Sequence, residues 1–289
     1  MSSPISLRPV TPADAPAISR IVFDAFGSIA RLHNFPLDFP VPEAAGGLVQ
    51  MFTQHPGIYG VAAESDGKLV GSNFLDERSP IRGVGPITVD PAFQGKGAGR
   101  ALMNAVLERG KGSAGIRLVQ DAFNTVSMSL YASVGFEVRE PLVMIGGKPT
   151  ARATGTDEAR KLTETDLPAC ADLCRRIHGF DRNGELADAI KMFGSLGLFR
   201  SGRLIAYMSA PPLWPLNHAV AEEESQLTDL ILAAGAALPD PLIILIPIRR
   251  ASLFRWCLKS GMRVIKPMTL MTIGAYQEPA GPYFPSVSY

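Results

Sequence analysis

Cysteine is scarce in this sequence, with three among 289 residues and no regular spacing. That excludes a disulfide framework and suits a reducing cytosol. Neither sign of charge is in excess, because 28 Lys and Arg face 27 Asp and Glu for a formal +1. No basic field exists to coat anionic lipid or nucleic acid, and no basic stripe with interleaved aromatics is present. Long apolar runs are missing as well. The strongest, Leu242 to Ile246, stops at Pro247, far short of the ~20 residues that span a bilayer. The start, Met1-Ser2-Ser3-Pro4, has neither the basic nor the apolar region of a secretory signal. The expectation is a soluble cytoplasmic protein whose partners include neither nucleic acid nor membrane.

What is plentiful points to packed structure. The chain is about twice the ~150 residues that serve as a prior for one domain, which favours two. Hydrophobic residues make up 46% and charged residues 19%, a balance that fills a core and excludes a mostly disordered chain. Glycine and proline, 28 and 24 residues, exceed the usual combined ~12% without a collagen-like period. That surplus asks for a local cause.

A mixed α/β order emerges along the first half. Leu7-Arg8-Pro9-Val10 reads as a strand, and Thr11-Pro12-Ala13-Asp14 as the start of a helix with Thr11 as N-cap. Ile18, Val22 and Phe26 mark its buried face. A short helix reaching Gln54 follows, then strands over 58–64 and 68–75 joined at Ser65-Asp66-Gly67, a hairpin signal. A strand over 84–89 precedes Gln94-Gly95-Lys96-Gly97-Ala98-Gly99-Arg100 and a helix that Gly110 can end. A strand over 116–120, a helix over 124–134 stopped by Gly135, and a strand over 136–145 complete the unit. Residues 146–156 lack apolar periodicity and are the linker candidate, dividing the chain into domains 1–147 and 157–289.

The second half repeats the first at low fidelity. Thr163-Glu164-Thr165-Asp166 falls on Thr11-Pro12-Ala13-Asp14 at an offset of 152, and Gly202-Arg203-Leu204 on Gly67-Lys68-Leu69 at 135. Gly261 falls on Gly135, and Cys257 on Tyr131, at 126. Ordered recurrence of helix start, hairpin and helix stop implies a duplicated fold.

Gly95, Gly97 and Gly99 lie between a strand and a helix, with Lys96 and Arg100 beside them. Such a loop turns consecutive N–H groups outward, and the helix N-terminus adds partial positive charge. A pyrophosphate suits that cradle. A triphosphate P-loop fails because Lys96 is followed by Gly97 rather than Ser or Thr. A dinucleotide fingerprint fails because its third glycine would be Arg100. Gly110-Lys111-Gly112-Ser113-Ala114-Gly115 matches its letters but follows a helix, the reverse of the required context.

Val89-Asp90-Pro91-Ala92-Phe93-Gln94-Gly95-Lys96-Gly97-Ala98-Gly99-Arg100 resembles the acetyl-CoA pyrophosphate motif of the GNAT superfamily. Asn124, Ser129-Leu130-Tyr131 and Val134-Gly135-Phe136 look like that superfamily's Asn-x6-Tyr-x3-Gly-Phe helix. The resemblance implies an N-acetyltransferase with acetyl-CoA as co-substrate and no metal, acting by direct attack of a small-molecule or peptide amine. It further implies that residues 84–89 and 116–120 splay to admit the pantetheine arm. Ile87, Thr88 and Val89 would then hold the arm, and Gly85-Pro86 would supply the kink. The pyrophosphate would be met by Gln94, Gly95, Lys96, Gly97, Ala98, Gly99 and Arg100. Asn124 would contact CoA or cap its helix, and Tyr131 would protonate the leaving thiolate. Candidate bases are Asp76, Glu77, Asp121 and His33, and none is singled out.

In the second half the loop position reads Ala221-Glu222-Glu223-Glu224-Ser225-Gln226, whose carboxylates repel a pyrophosphate. The expected architecture is therefore two tandem GNAT-like domains, each a mixed and mostly antiparallel sheet flanked by helices, with only the first equipped for CoA. The second would support the first, line the acceptor cleft or form a homodimer. Cys170, Cys174 and His178 have a metal-like i, i+4, i+8 spacing but fall on Ile18, Val22 and Phe26, so core packing is expected. The alternative function is a catalytically silent acyl-CoA-binding sensor or structural protein.

Overall fold

The computed structural model describes residues 4–151, 155 and 157–288. Its first half runs β1 (Ser6–Pro9), α1 (Ala15–Leu32), α2 (Pro42–Gln54), β2 (Ile58–Ser65), β3 (Lys68–Asp76), β4 (Ile81–Val84), β5 (Thr88–Val89), α3 (Ala98–Arg109), β6 (Gly115–Asp121), α4 (Thr125–Ser133) and β7 (Glu137–Gly147). The second runs β8 (Glu158–Lys161), α5 (Leu167–His178), α6 (Asn183–Phe193), β9 (Leu196–Arg200), β10 (Arg203–Met208), β11 (Ala219–Ala221), α7 (Glu224–Ala237), β12 (Leu242–Pro247), α8 (Ala251–Lys259), β13 (Arg263–Gly274) and β14 (Tyr283–Phe284).

Local chemistry explains why the halves match. The Thr11 N–H and hydroxyl both donate to Asp14 Oδ2, at 2.8 and 2.9 Å, and Arg8 clamps the same carboxylate. Thr163, Asp166 and Arg160 repeat this arrangement. Asp66 and Gly67 adopt φ of +50° and +71° in the β2–β3 turn, and Ser201 and Gly202 adopt +51° and +78° in the β9–β10 turn. Two consecutive positive φ values match the twist of a tight hairpin.

The strands form a 9-stranded sheet, ordered β1-β2-β3-β4-β6-β13-β7-β12 with β5 beside β3, and a 5-stranded sheet ordered β14-β11-β10-β9-β8. All pairings are antiparallel except β4 with β6. Residues 152–154 and 156 of the expected linker lie outside the described residues, and the strands on either side do not sort into one sheet per half. Strand β13 from the second half lies between β6 and β7, while β7 from the first half lies between β13 and β12. Each half thus lends its last long strand to the other. The exchange keeps the internal repeat in register, because Asp121 pairs with Met268 as Pro247 pairs with Leu142, both related by the offset of 126. Register shifts follow the same symmetry, one between Val264 and Lys266 and one opposite Glu140 and Val138. Such bulges re-aim the next side chain, here Lys266 and Glu140.

Cys170 and Cys174 are fully buried on α5 among Leu173, Leu186 and Tyr207. His178 stands edge-on to Tyr283 at 5.1 Å, and burial pushes its pKa down. These three side chains are core, as the repeat alignment indicates. Among the described residues no His, Cys, Asp and Glu group is arranged to hold a metal ion, and no helix is long and apolar enough to cross a membrane.

Candidate active site

The expected single strand over 84–89 is instead two short ones, β4 and β5. Gly85 takes φ of +130° and Pro86 has no N–H to give to a ladder, so the strand breaks there. Strand β4 pairs with β6 only as far as Gly83 and Arg117. Beyond that point β5 stays with β3, through Gly71–Val89 and Ser72–Thr88, and leaves β6. The Asp90 N–H bonds to Val70 O. By the alternation of an antiparallel pair, the N–H of Val89 therefore points away from β3, toward the opened gap.

A cavity of about 710 Å³ occupies this gap. Of the predicted cofactor set, Ile87, Thr88, Val89, Gln94, Gly95, Gly97, Ala98, Gly99, Arg100, Asn124 and Tyr131 line it. Lys96 does not. Its ammonium donates to Ala92 O at 3.1 Å and sits 4.8 Å from the Phe93 ring. Gly95 and Gly97 have φ of +75° and +89°, and a Cβ on either would meet only open space. The positive φ values alone favour glycine at both positions. Gly97 caps α3, whose first N–H groups have no acceptor within the helix. Gln94 Nε2 donates to Val89 O at 3.2 Å and ties the loop to β5. Arg100 reaches Ser133 Oγ at 2.9 Å, joining α3 to α4.

On the opposite wall, Asn124 Oδ1 accepts from the Ser127 N–H at 3.1 Å, so it caps α4 while lining the cavity. The Ser127 hydroxyl donates to Gln120 Oε1 at 2.8 Å. Tyr131 is only 7% exposed, and burial raises its pKa, partly offset by a hydrogen bond with Ser127. The phenol keeps its proton at neutral pH. Gln120 Nε2 and Thr88 Oγ1 are buried in the same walls without a hydrogen-bond partner, as groups awaiting a polar ligand are.

The proposed bases separate clearly. Asp76 is bound by Arg78 and Glu77 by Arg109, and neither lines the cavity. His33 is exposed and lies 5.2 Å from Phe123, also outside the lining. Asp121 lines the cavity, and burial raises its pKa against the pull of Lys266. The Lys266 ammonium lies 2.6 Å from both Asp121 Oδ1 and Asp38 Oδ1. Sequence reasoning missed Lys266 and Asp38, together with Trp214, Met268 and Val287 of the same wall. The available signal was a lone lysine in the apolar run Val264-Ile265-Lys266-Pro267-Met268.

A strand that leaves its neighbour beside a glycine-capped helix, over a cavity with a buried tyrosine, is the arrangement that the resemblance to the GNAT superfamily implies. The Acetyltransferase (GNAT) family model matches residues 27–136. N-alpha-acetyltransferase RimI of Mycobacterium tuberculosis (strain ATCC 25618 / H37Rv) is 31% identical over 140 residues, covering 47% of this chain and 80% of that protein. The chain belongs to the GNAT acetyltransferase family. A mycothiol acetyltransferase of Nocardia farcinica is 40% identical over 63 residues, so the match spans only 21% of that protein. A Pyrococcus horikoshii protein described as an acetyltransferase shares the fold at TM-score 0.77 and 18% identity, covering 99% of this chain and 94% of its own. A tandem GNAT protein from the clavulanic acid biosynthesis pathway does so at 0.58 and 14%, covering 96% and 99%. Two tandem GNAT-like halves of mixed, mostly antiparallel α/β structure are thus present in one chain.

Proposed function

We propose that the protein transfers an acetyl group from acetyl-CoA to a primary amine by direct attack. The reading is carried by one observation: a single cavity connects the glycine loop, the gap between β5 and β6, Tyr131 and Asp121. Backbone N–H groups at the start of α3, with Arg100, would meet the pyrophosphate. The pantetheine arm would lie in the gap, where the Val89 N–H can polarise the thioester carbonyl.

An alkylammonium must lose a proton before it can attack, and Asp121 is the carboxylate placed to accept it. The neutral amine then bonds to the carbonyl carbon, and the carbon–sulfur bond breaks. Tyr131 would protonate the departing thiolate. A buried thiolate is a stronger base than one in water, so a phenol with a raised pKa can still serve it. The second half acts by lending β13 to the cavity wall, and at its own loop position Glu222 is held by Arg176 and Arg203.

Release of free thiol from acetyl-CoA across a panel of primary amines tests this reading. Amine-dependent release is expected. Acetyl-CoA binding with no release on any amine would instead establish a silent acyl-CoA sensor.

A further inference from the structure

The cavity has two chemically different ends. On β6, Leu118 packs with Tyr131 on the α3 and α4 side of the sheet, whereas Val119 packs with Met268 on the other side. Asp121 alternates onto the Val119 side. This far side is walled by Phe26, Ile29, Phe39, Trp214, Met268 and Val287. Phe26 and Phe39 meet edge to face at 5.7 Å. Into this apolar enclosure project three charges, Asp38, Asp121 and Lys266, with side chains 7%, 8% and 3% exposed.

Resting on the acetyltransferase reading, we propose that the acceptor is a primary amine carried on a single apolar body of aromatic or branched aliphatic character. Two carboxylates face one ammonium, which leaves one buried negative charge uncompensated. Such a charge is costly unless a cation joins it. One substrate ammonium completes the balance beside Asp121, where its proton can be taken. The remainder of the substrate then meets aromatic and aliphatic side chains.

The same accounting disfavours other amines. A polyamine would place its second ammonium among Phe26, Phe39 and Trp214, where no further carboxylate lines the wall. An amino acid would bring a carboxylate toward Asp38 and Asp121, and the Lys266 ammonium is already shared by both. A peptide would have to bury backbone polar groups against apolar side chains.

The test uses the full chain with CoA bound. Calorimetry measures binding of phenethylamine, cyclohexylmethylamine, spermidine, lysine and a short peptide with a free N-terminus, and thiol release is followed in parallel. The apolar amines are expected to bind at least ~10-fold more tightly than the others. Equal or tighter binding of spermidine, lysine or the peptide overturns the proposal, as does no binding of any amine. Because binding is read without turnover, an apolar amine that binds but releases no thiol sinks only the enzymatic reading.

Asp38→Asn removes the uncompensated charge. It should weaken phenethylamine binding ~10-fold or more while acetyl-CoA binding, which reports folding, is retained. Unchanged phenethylamine affinity in a variant that still binds acetyl-CoA overturns the role given to the charge cluster. Should Asp38→Asn fail to fold, Trp214→Ala carries the same test through the apolar wall, with a loss of selectivity for phenethylamine over spermidine expected and unchanged selectivity counting against the proposal.

Discussion

Tyr131 combines burial with a polar neighbour, and removing its hydroxyl alone separates the proposed proton donor from a packing ring. Its ring meets Phe136 edge-on at 6.2 Å, while its hydroxyl end turns toward Ser127 and the cavity. Tyr131→Phe keeps the ring and removes only the proton donor. Turnover should fall by roughly 10²-fold or more, while acetyl-CoA affinity measured by calorimetry stays within ~3-fold. Unchanged turnover would remove Tyr131 from the chemistry. Residues such as Tyr131, Asn124 and Gly97 were legible because their neighbours in sequence are their neighbours in space. Lys266 was not, since its meaning depends on Asp121, which lies on the strand that β13 joins only through the exchange. Lys96 shows the converse limit. Its place in the loop was right, but rotation about its side chain sends the charge to Ala92 O and Phe93.

Helix starts and hairpins were the most readable elements because a few residues determine each. The Thr163–Asp166 capping box holds the start of α5, and Arg160 adds a bidentate clamp with both bonds under 3.0 Å. The Arg160 bonds, aided by the Thr163 N–H and hydroxyl and opposed by partial burial, hold the Asp166 carboxyl down to about 2 from 3.8. A depressed carboxylate stabilises the folded state above its unfolded pKa, and that contribution is lost as pH falls through the folded one. Asp166→Asn should therefore cost up to about 1 kcal/mol at pH 7, from loss of the carboxylate charge, since the amide oxygen can still accept from Thr163 and Arg160 is 40% exposed. The gap to the parent protein should narrow between pH 4 and pH 2. Denaturant melts of both proteins across that range check it, and a gap independent of pH would mean that the carboxylate charge contributes nothing. The break at Gly85-Pro86 was harder to read. Sequence marked a kink there, but only the pairing partners show that β5 turns to β3 and opens the gap.

At the scale of the whole molecule, the duplication was legible and its consequence was not. Periodicity and turn residues report which elements recur, but strand partners are chosen by packing across long separations, to which local patterns are blind. Strand β13 lies between β6 and β7, and β7 continues to β12. A chain ending near residue 150 therefore loses the antiparallel partner of β6 along Gly115–Asp121, keeping only β4 on its other edge, and β7 loses both of its partners. It also loses Lys266 together with Trp214, Met268 and Val287, which opens the cavity around Asp38 and Asp121. The full chain should accordingly unfold in one cooperative transition, with circular dichroism and tryptophan fluorescence coincident. The piece 1–150 should not bind acetyl-CoA. Two separated transitions, or a piece 1–150 that binds acetyl-CoA as tightly as the full chain, would show that the exchanged strands are an ornament on two independent domains rather than the element that makes them one folding unit.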